Sequence, residues 1–149
     1  MKTFIFLFTI FIYSNINAQT KSIENLIAEI DNNQIHIVMQ YVWYPEMKSE
    51  QAEEIIKMGK SVTPKIIALL DNPSKGIIAH FILSKIWEKN WGDGKSGNFV
   101  SINDNNFSVI HNELKIYVVY TSVSTCDFLY SKSEDLKTNK AKWEKFVIE

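Results

Sequence analysis

Residues 59–90, GKSVTPKIIALLDNPSKGIIAHFILSKIWEKN, constrain the fold of this chain more than any other stretch. Val62, Ile66, Ile67, Leu69 and Leu70 fall at helical spacing and make one apolar stripe, with Lys65 on the opposite face. Ser61 or Thr63 is placed to cap this helix, and Pro64 stands early enough in it to be tolerated. The run Asp71, Asn72, Pro73, Ser74 then breaks it, because Pro73 disfavours helical geometry in Asn72. Ile77, Ile78, Phe81, Ile82, Leu83, Ile86 and Trp87 follow. They are apolar around most of a helical circumference, so the second helix should be the most buried in the domain.

The residues of this pair resemble a HEAT-type helical repeat. Gly59 precedes the first helix, Pro64 lies inside it, and Leu69, Leu70 and Asp71 end it. Ala79 stands at the small position of the second helix, and Leu83, Ser84, Lys85, Ile86 resemble its usual Leu-Gly-Lys-Ile ending. The resemblance covers about a quarter of the chain. Lys75 is the nearest match to the usual arginine, and bulky His80 and Phe81 replace small residues. The resemblance implies an α-α superhelix fragment that binds other proteins and has no catalytic motif.

At the other end of the chain, Met1, Lys2 and Thr3 precede an almost wholly apolar run over residues 4–12, then a polar stretch ending in Ala18 and Gln19. A basic start, a short apolar core and a small residue before a polar one describe a secretory signal peptide, cleaved after Ala18. That run is too short to anchor in a bilayer, so the processed protein should not be membrane-embedded. The expected location is the periplasm or the extracellular space. Residues 19–149 then form one domain by size. Cys126 is the single cysteine, so no internal disulfide can form and stability must come from an apolar core. The formal net charge is −1, and all sixteen basic residues are lysine. The missing guanidinium fork weighs against nucleic-acid or phosphate recognition.

The fold expected is α+β: α-helical hairpins over residues 19–91, a loop at 92–98, short antiparallel β-strands over 99–130, and a C-terminal helix over 131–149. Ile23, Leu26, Ile27 and Ile30 give the first helix. Residues 34–44 fit both a helix (Ile35, Val38, Met39, Val42) and a strand (Ile35, Ile37, Met39, Tyr41); the helical neighbours favour helix, with Pro45 ending it. Ser49 caps a helix over residues 50–58, whose early Glu50, Glu53 and Glu54 suit the helix dipole, and Gly59 stops it. Strands are expected at 99–102, 107–110, 114–120 and 128–130, with turns at 103–106 and 111–113. In the third, Leu114, Ile116, Val118 and Tyr120 face one way, and Lys115, Tyr117 and Val119 the other. The last helix shows capping-box spacing at Ser131 and Glu134, and an apolar face of Leu136, Trp143, Phe146 and Val147.

No motif commits the chain to chemistry. Gly94, Lys95 and Ser96 match the end of a phosphate loop, but Lys89 stands where the earlier glycine should be. His36, His80 and His111 lack metal-ligand spacing, so no metal or cofactor is expected; His80 is expected as a partly buried helix residue. Cys126, His111 and Glu113 or Asp127 contain the groups of a thiol hydrolase without the glycine-lined elbow such enzymes need. Tyr41, Trp43, Tyr44, Trp87 and Trp91 are the aromatic candidates, with Tyr44, Trp87 and Trp91 the expected partner-binding residues and Trp91 expected to be exposed. The reading that follows is an exported, non-enzymatic interaction module with a protein partner, of the inhibitor or immunity type. A Cys126/His111 hydrolase and a glycan binder using exposed aromatics are the alternatives.

Overall fold

The computed structural model describes residues 21–39, 43–91, 100–103, 106–122 and 125–149. The expected signal peptide, the loop at 92–98 with its Gly94, Lys95 and Ser96, and Tyr41 lie outside the described residues, as do the side chains of Trp43, Cys126 and Asp127. The chain is α+β, with helices mostly in its first part, two antiparallel sheets, and a closing helix. Among the described residues no helix is long and apolar enough to cross a membrane.

Helix α1 spans Ile23–Glu29 and starts where Ser22 accepts a hydrogen bond from the Asn25 N–H. The helix expected over 34–44 is replaced, among the described residues, by a 3-10 turn ending at Gln34 and by strands on either side of residues 40–42. Strands β1 (Ile35–Met39) and β2 (Trp43–Met47) form an antiparallel hairpin in which Ile35 faces Met47 and Ile37 faces Pro45. The β-branched Ile35, Ile37 and Val38 favour this extended form. Pro45 does not end the segment; it sits within β2, where a two-stranded sheet leaves its missing N–H without consequence. Helix α2 (Glu50–Lys57) begins at Ser49, whose hydroxyl accepts from the Ala52 N–H, and Gly59 takes φ +68° just beyond its end.

The central pair is less symmetric than its sequence suggests. Its first half is a 3-10 turn (Gly59–Val62) running into a short helix α3 (Thr63–Ile67), with Pro64 in its first turn. Neither Ser61 nor Thr63 caps it: Ser61 donates to the Met58 carbonyl, and Thr63 accepts from Trp87. Helix α4 (Gly76–Ile86) is the buried one, as its all-round apolar pattern requires, and every residue from Gly76 to Leu83 is buried. Its N-terminus has no local side-chain cap. Asn32 supplies one from far away in sequence, its Oδ1 accepting from the Ile77 and Ile78 N–H groups at 3.0 Å each. Lys75 returns the favour to α1, its ammonium donating to the carbonyls of Ile27, Ala28 and Ile30. Each helix end thus satisfies the free backbone groups of the other, the requirement that all buried termini must meet.

The second sheet is a four-stranded meander of β3 (Val100–Asn103), β4 (Asn106–His111), β5 (Leu114–Ser122) and β6 (Thr125–Tyr130). Asn112 and Glu113 join β4 to β5 with φ values of 47° and 69°, the left-handed pair that a two-residue hairpin loop demands. Phe107, Val109, Leu114, Ile116, Val118 and Leu129 turn inward onto the core. Helix α5 (Ser133–Ile148) covers that core with Leu136 and Trp143, while Phe146 and Val147 lie at its margin. It starts at Lys132 without a side-chain cap; Ser131 does not make the expected capping box but donates to the Lys115 carbonyl. Burial of each such large apolar side chain contributes about 1.5–3 kcal/mol, so α4 is held mainly by its surroundings.

Candidate functional site

Three groups of residues carry chemistry of interest: a buried histidine pair, a cluster of indoles around it, and an aromatic strip on the far face of the sheet.

His80 is fully buried, which corrects the expectation of partial burial. Both of its ring nitrogens are engaged. The Trp143 Nε1–H can only donate, and it lies 3.1 Å from His80 Nδ1. Nδ1 must therefore be the acceptor, which places the proton on Nε2, where it donates to the His111 carbonyl at 3.0 Å. Burial pushes the His80 pKa down to about 3, and the neighbouring His111 pushes the same way. His111 is held down to about 4, first by burial and then by the Lys85 ammonium. Its ring stacks on Phe81 at 3.8 Å, and its Nδ1 is buried without a partner. The two rings meet edge to face at 5.3 Å. Both imidazoles are neutral near pH 7 and fasten α4, α5 and the β4–β5 turn together.

A cleft of about 170 Å³ opens beside this pair, lined by Phe81, Ser84, Lys85, Lys89, Asn90, His111 and Asn112. Its polar walls are largely satisfied by one another. Asn112 Nδ2 donates to Ser84 Oγ and to the Lys89 carbonyl, its Oδ1 accepts from the Trp91 N–H, and Ser84 donates to the His80 carbonyl. These bonds fix the end of α4 to the hairpin turn.

The structure does not bring the proposed thiol and base together. His111 sits opposite Leu114 and Cys126 opposite Tyr120, six positions further along β5. That separates them by about 20 Å along the ladder. Glu113 is committed to Lys142 on α5. His36 is exposed on β1, away from the other two histidines, and among the described residues no three His, Cys, Asp or Glu side chains are grouped to hold a metal ion.

Of the expected partner-binding residues, Trp87 and Trp91 come together and Tyr44 stays apart on β2. Trp91 is half-buried, not exposed: it meets Trp143 edge to face at 4.5 Å and Phe146 at 5.7 Å. Trp87 meets Phe146 at 5.5 Å and donates its N–H to Thr63 Oγ1. Lysines cover the remaining ring faces, Lys60 at 4.1 Å from the Trp87 centre, with Lys89 and Lys142 over Trp91.

The open aromatic surface lies elsewhere. On the outer face of β5 and β6, Tyr117 pairs with Tyr130 and Val119 with Phe128. The Tyr117 and Tyr130 rings stack at 5.1 Å, and Phe128 lies 5.8 Å from Tyr130. Tyr117 forms the floor at 8% exposure, while Tyr130 and Phe128 are 39% and 50% exposed. Lys115 and Lys132 stand over the Tyr117 ring. The sequence pattern places these residues on strands, and no motif marks them as a site. The signal was present in the period of two, which put Tyr117 on the face opposite Leu114, Ile116 and Val118, and Phe128 and Tyr130 together on one side of β6. Comparison with known proteins gives no match: no family model fits the chain, and no curated protein or solved structure is detectably similar to it.

Proposed function

We propose that the protein is an exported, non-enzymatic interaction module in which a rigid helical hub supports a surface that engages another protein, as an inhibitor or immunity-type protein does. The single observation that supports this reading is the strip of Tyr117, Tyr130 and Phe128: a stacked aromatic floor carrying two large, solvent-facing rings on a strongly paired sheet. Aromatic anchors on rigid elements are the groups that dominate binding energy at protein interfaces. The HEAT-like reading of residues 59–90 belongs to the same proposal, with α4 as a scaffold. Export to the periplasm or the outside is proposed from the basic, apolar and small-residue zones of residues 1–18.

The test is capture on immobilised protein from the exported fraction of the source organism, run beside a Phe128→Ala/Tyr130→Ala variant and a Trp91→Ala variant. A stoichiometric protein retained by the unaltered chain and the Trp91 variant, and lost from the double variant, supports the reading. Equal retention by all three would remove the strip from the interface.

A further inference from the structure

We infer that the outer face of β5 and β6 docks an acidic protein segment, whose carboxylates complete a pair of lysines that the fold holds beside Tyr117. The inference rests on the interaction-module reading and specifies its partner. Lys115 and Lys132 place their ammonium groups 5.0 Å and 5.2 Å from the same ring centre. Lys21, Lys48, Lys65, Lys140 and Lys142 each have a carboxylate in ion-pair contact, and neither Lys115 nor Lys132 does among the described residues. Lys132 shares a hydrogen bond with the Tyr117 hydroxyl, and Glu134 and Asp135, in the first turn of α5, act on it through space. The two ammonium groups on one aromatic floor keep donor capacity that an incoming carboxylate can use, and that contact strengthens as the pair is desolvated.

The neighbouring surface selects a polypeptide. Phe128 and Tyr130 offer apolar area beside the charged spot, suited to a segment that alternates acidic and apolar side chains. The aromatic rings pack on one another, leaving no slot between them for a nucleobase, and a chain of net charge −1 carries no general field for a polyanion. Strand addition is disfavoured, because β6 is the end strand of its sheet and lies against the Asn32–Gln34 turn and β1. The partner therefore covers the face.

The experiment is selection of a displayed random peptide library on the purified protein, followed by affinity measurement of the enriched peptides. Enrichment in Asp and Glu is expected, with affinity falling about ten-fold or more in Lys115→Glu/Lys132→Glu and in Phe128→Ala/Tyr130→Ala, and falling as salt is raised. Circular dichroism of both surface variants should match the unaltered chain, so lost binding is not lost fold. Peptides that map to this face but are neutral or basic overturn the acidic partner and leave the module reading standing. Peptides that map elsewhere, or none at all, overturn both. Binding of a polyuronate with no peptide enriched would transfer the face to acidic glycans and also overturn the inference.

Discussion

Among the described residues, two aromatic regions with lysines over their rings have opposite fates. At the junction of α4 and α5, Trp87, Trp91, Trp143 and Phe146 meet edge to face. Trp143 and Trp87 spend their N–H groups inside, on His80 and Thr63, and lysines close the outer ring faces. On the β5–β6 face, Tyr117, Tyr130 and Phe128 also lie together under lysines, but two of the three rings remain open to solvent. The difference is in what backs each cluster. A helical surface rolls its aromatics toward another helix, whereas the outer face of this sheet buries Ser108 and Tyr117 but leaves Tyr130 and Phe128, on β6, open to solvent. Aromatic content alone therefore does not locate a binding surface; the layer that covers it does.

The sharpest way to break this contrast is at Trp143. Truncation of a fully buried indole costs about 3–5 kcal/mol, so Trp143→Ala should leave little folded protein. Trp143→Phe keeps a ring but strands His80 Nδ1 without its donor, costing about 1–3 kcal/mol in denaturant unfolding. A Trp143→Phe variant as stable as the parent would show that the His80 bond does not hold the cluster.

Acid should separate the two regions next. The unfolded chain binds protons on His80 and His111 near the ordinary value of 6.5, whereas the fold holds them at about 3 and about 4. Protonation therefore favours the unfolded chain: stability is whole above pH 6.5 and is lost as pH falls through 5 toward those lower values. Between pH 7 and pH 5 the pair should lose about 3–4 kcal/mol, close to twice one site, because in this window almost all of the proton uptake is on the unfolded chain. The exposed carboxylates of Glu24, Glu29 and Asp71 are held below their ordinary range by lysine partners, and what they contribute is lost mainly at lower pH, so urea unfolding at the two pH values reads chiefly the histidines. The Phe128→Ala/Tyr130→Ala variant should show the same loss. A flat profile would mean that the histidines reach water and that the junction is not sealed.

The sequence reading went furthest where pattern and packing agree. The all-round apolar character of α4 foretells its burial, the alternation in 114–118 foretells which face of β5 meets the core, and Ser49 marks the start of α2. It failed where two periods fit equally well, as in residues 34–44, where β-branched residues and a pairing partner at 43–47 decided for a hairpin. Local signals also gave way to distant partners. Asn32, just past the first helix, caps α4; Lys75, matched in sequence to the arginine of a helical repeat, caps α1; and Ser131 turns from its helix to the Lys115 carbonyl. The open aromatic strip was missed because exposure is a property of the covering layer, which no periodicity encodes. Trp91 was expected to be exposed for the same reason in reverse: α5, fifty residues on, supplies the rings that cover it.

A smaller effect tests how closely the sealed side is fitted. A methyl group added to Gly76 would meet the Leu70 carbonyl oxygen at 2.5 Å and Leu136 Cδ2 at 2.9 Å. The first contact is backbone and cannot swing aside, so Gly76→Ala should cost roughly 1–3 kcal/mol. Unchanged thermal unfolding would mean that α4 can slide away from α3 and α5, and that the junction is looser than its contacts imply.

The least effect on stability is expected on the open side, and there it carries the argument. Phe128 and Tyr130 hold much of their surface in water, so Phe128→Ala/Tyr130→Ala should change the unfolding free energy by no more than about 1 kcal/mol, mostly from the lost stacking on Tyr117. Rings that contribute little to the fold are candidates for work outside it, and the same variant should therefore lose a partner that Trp91→Ala retains. A loss near that of Trp143→Ala would mean that the strip is structural, and the two aromatic regions would then differ only in how much of each ring meets solvent.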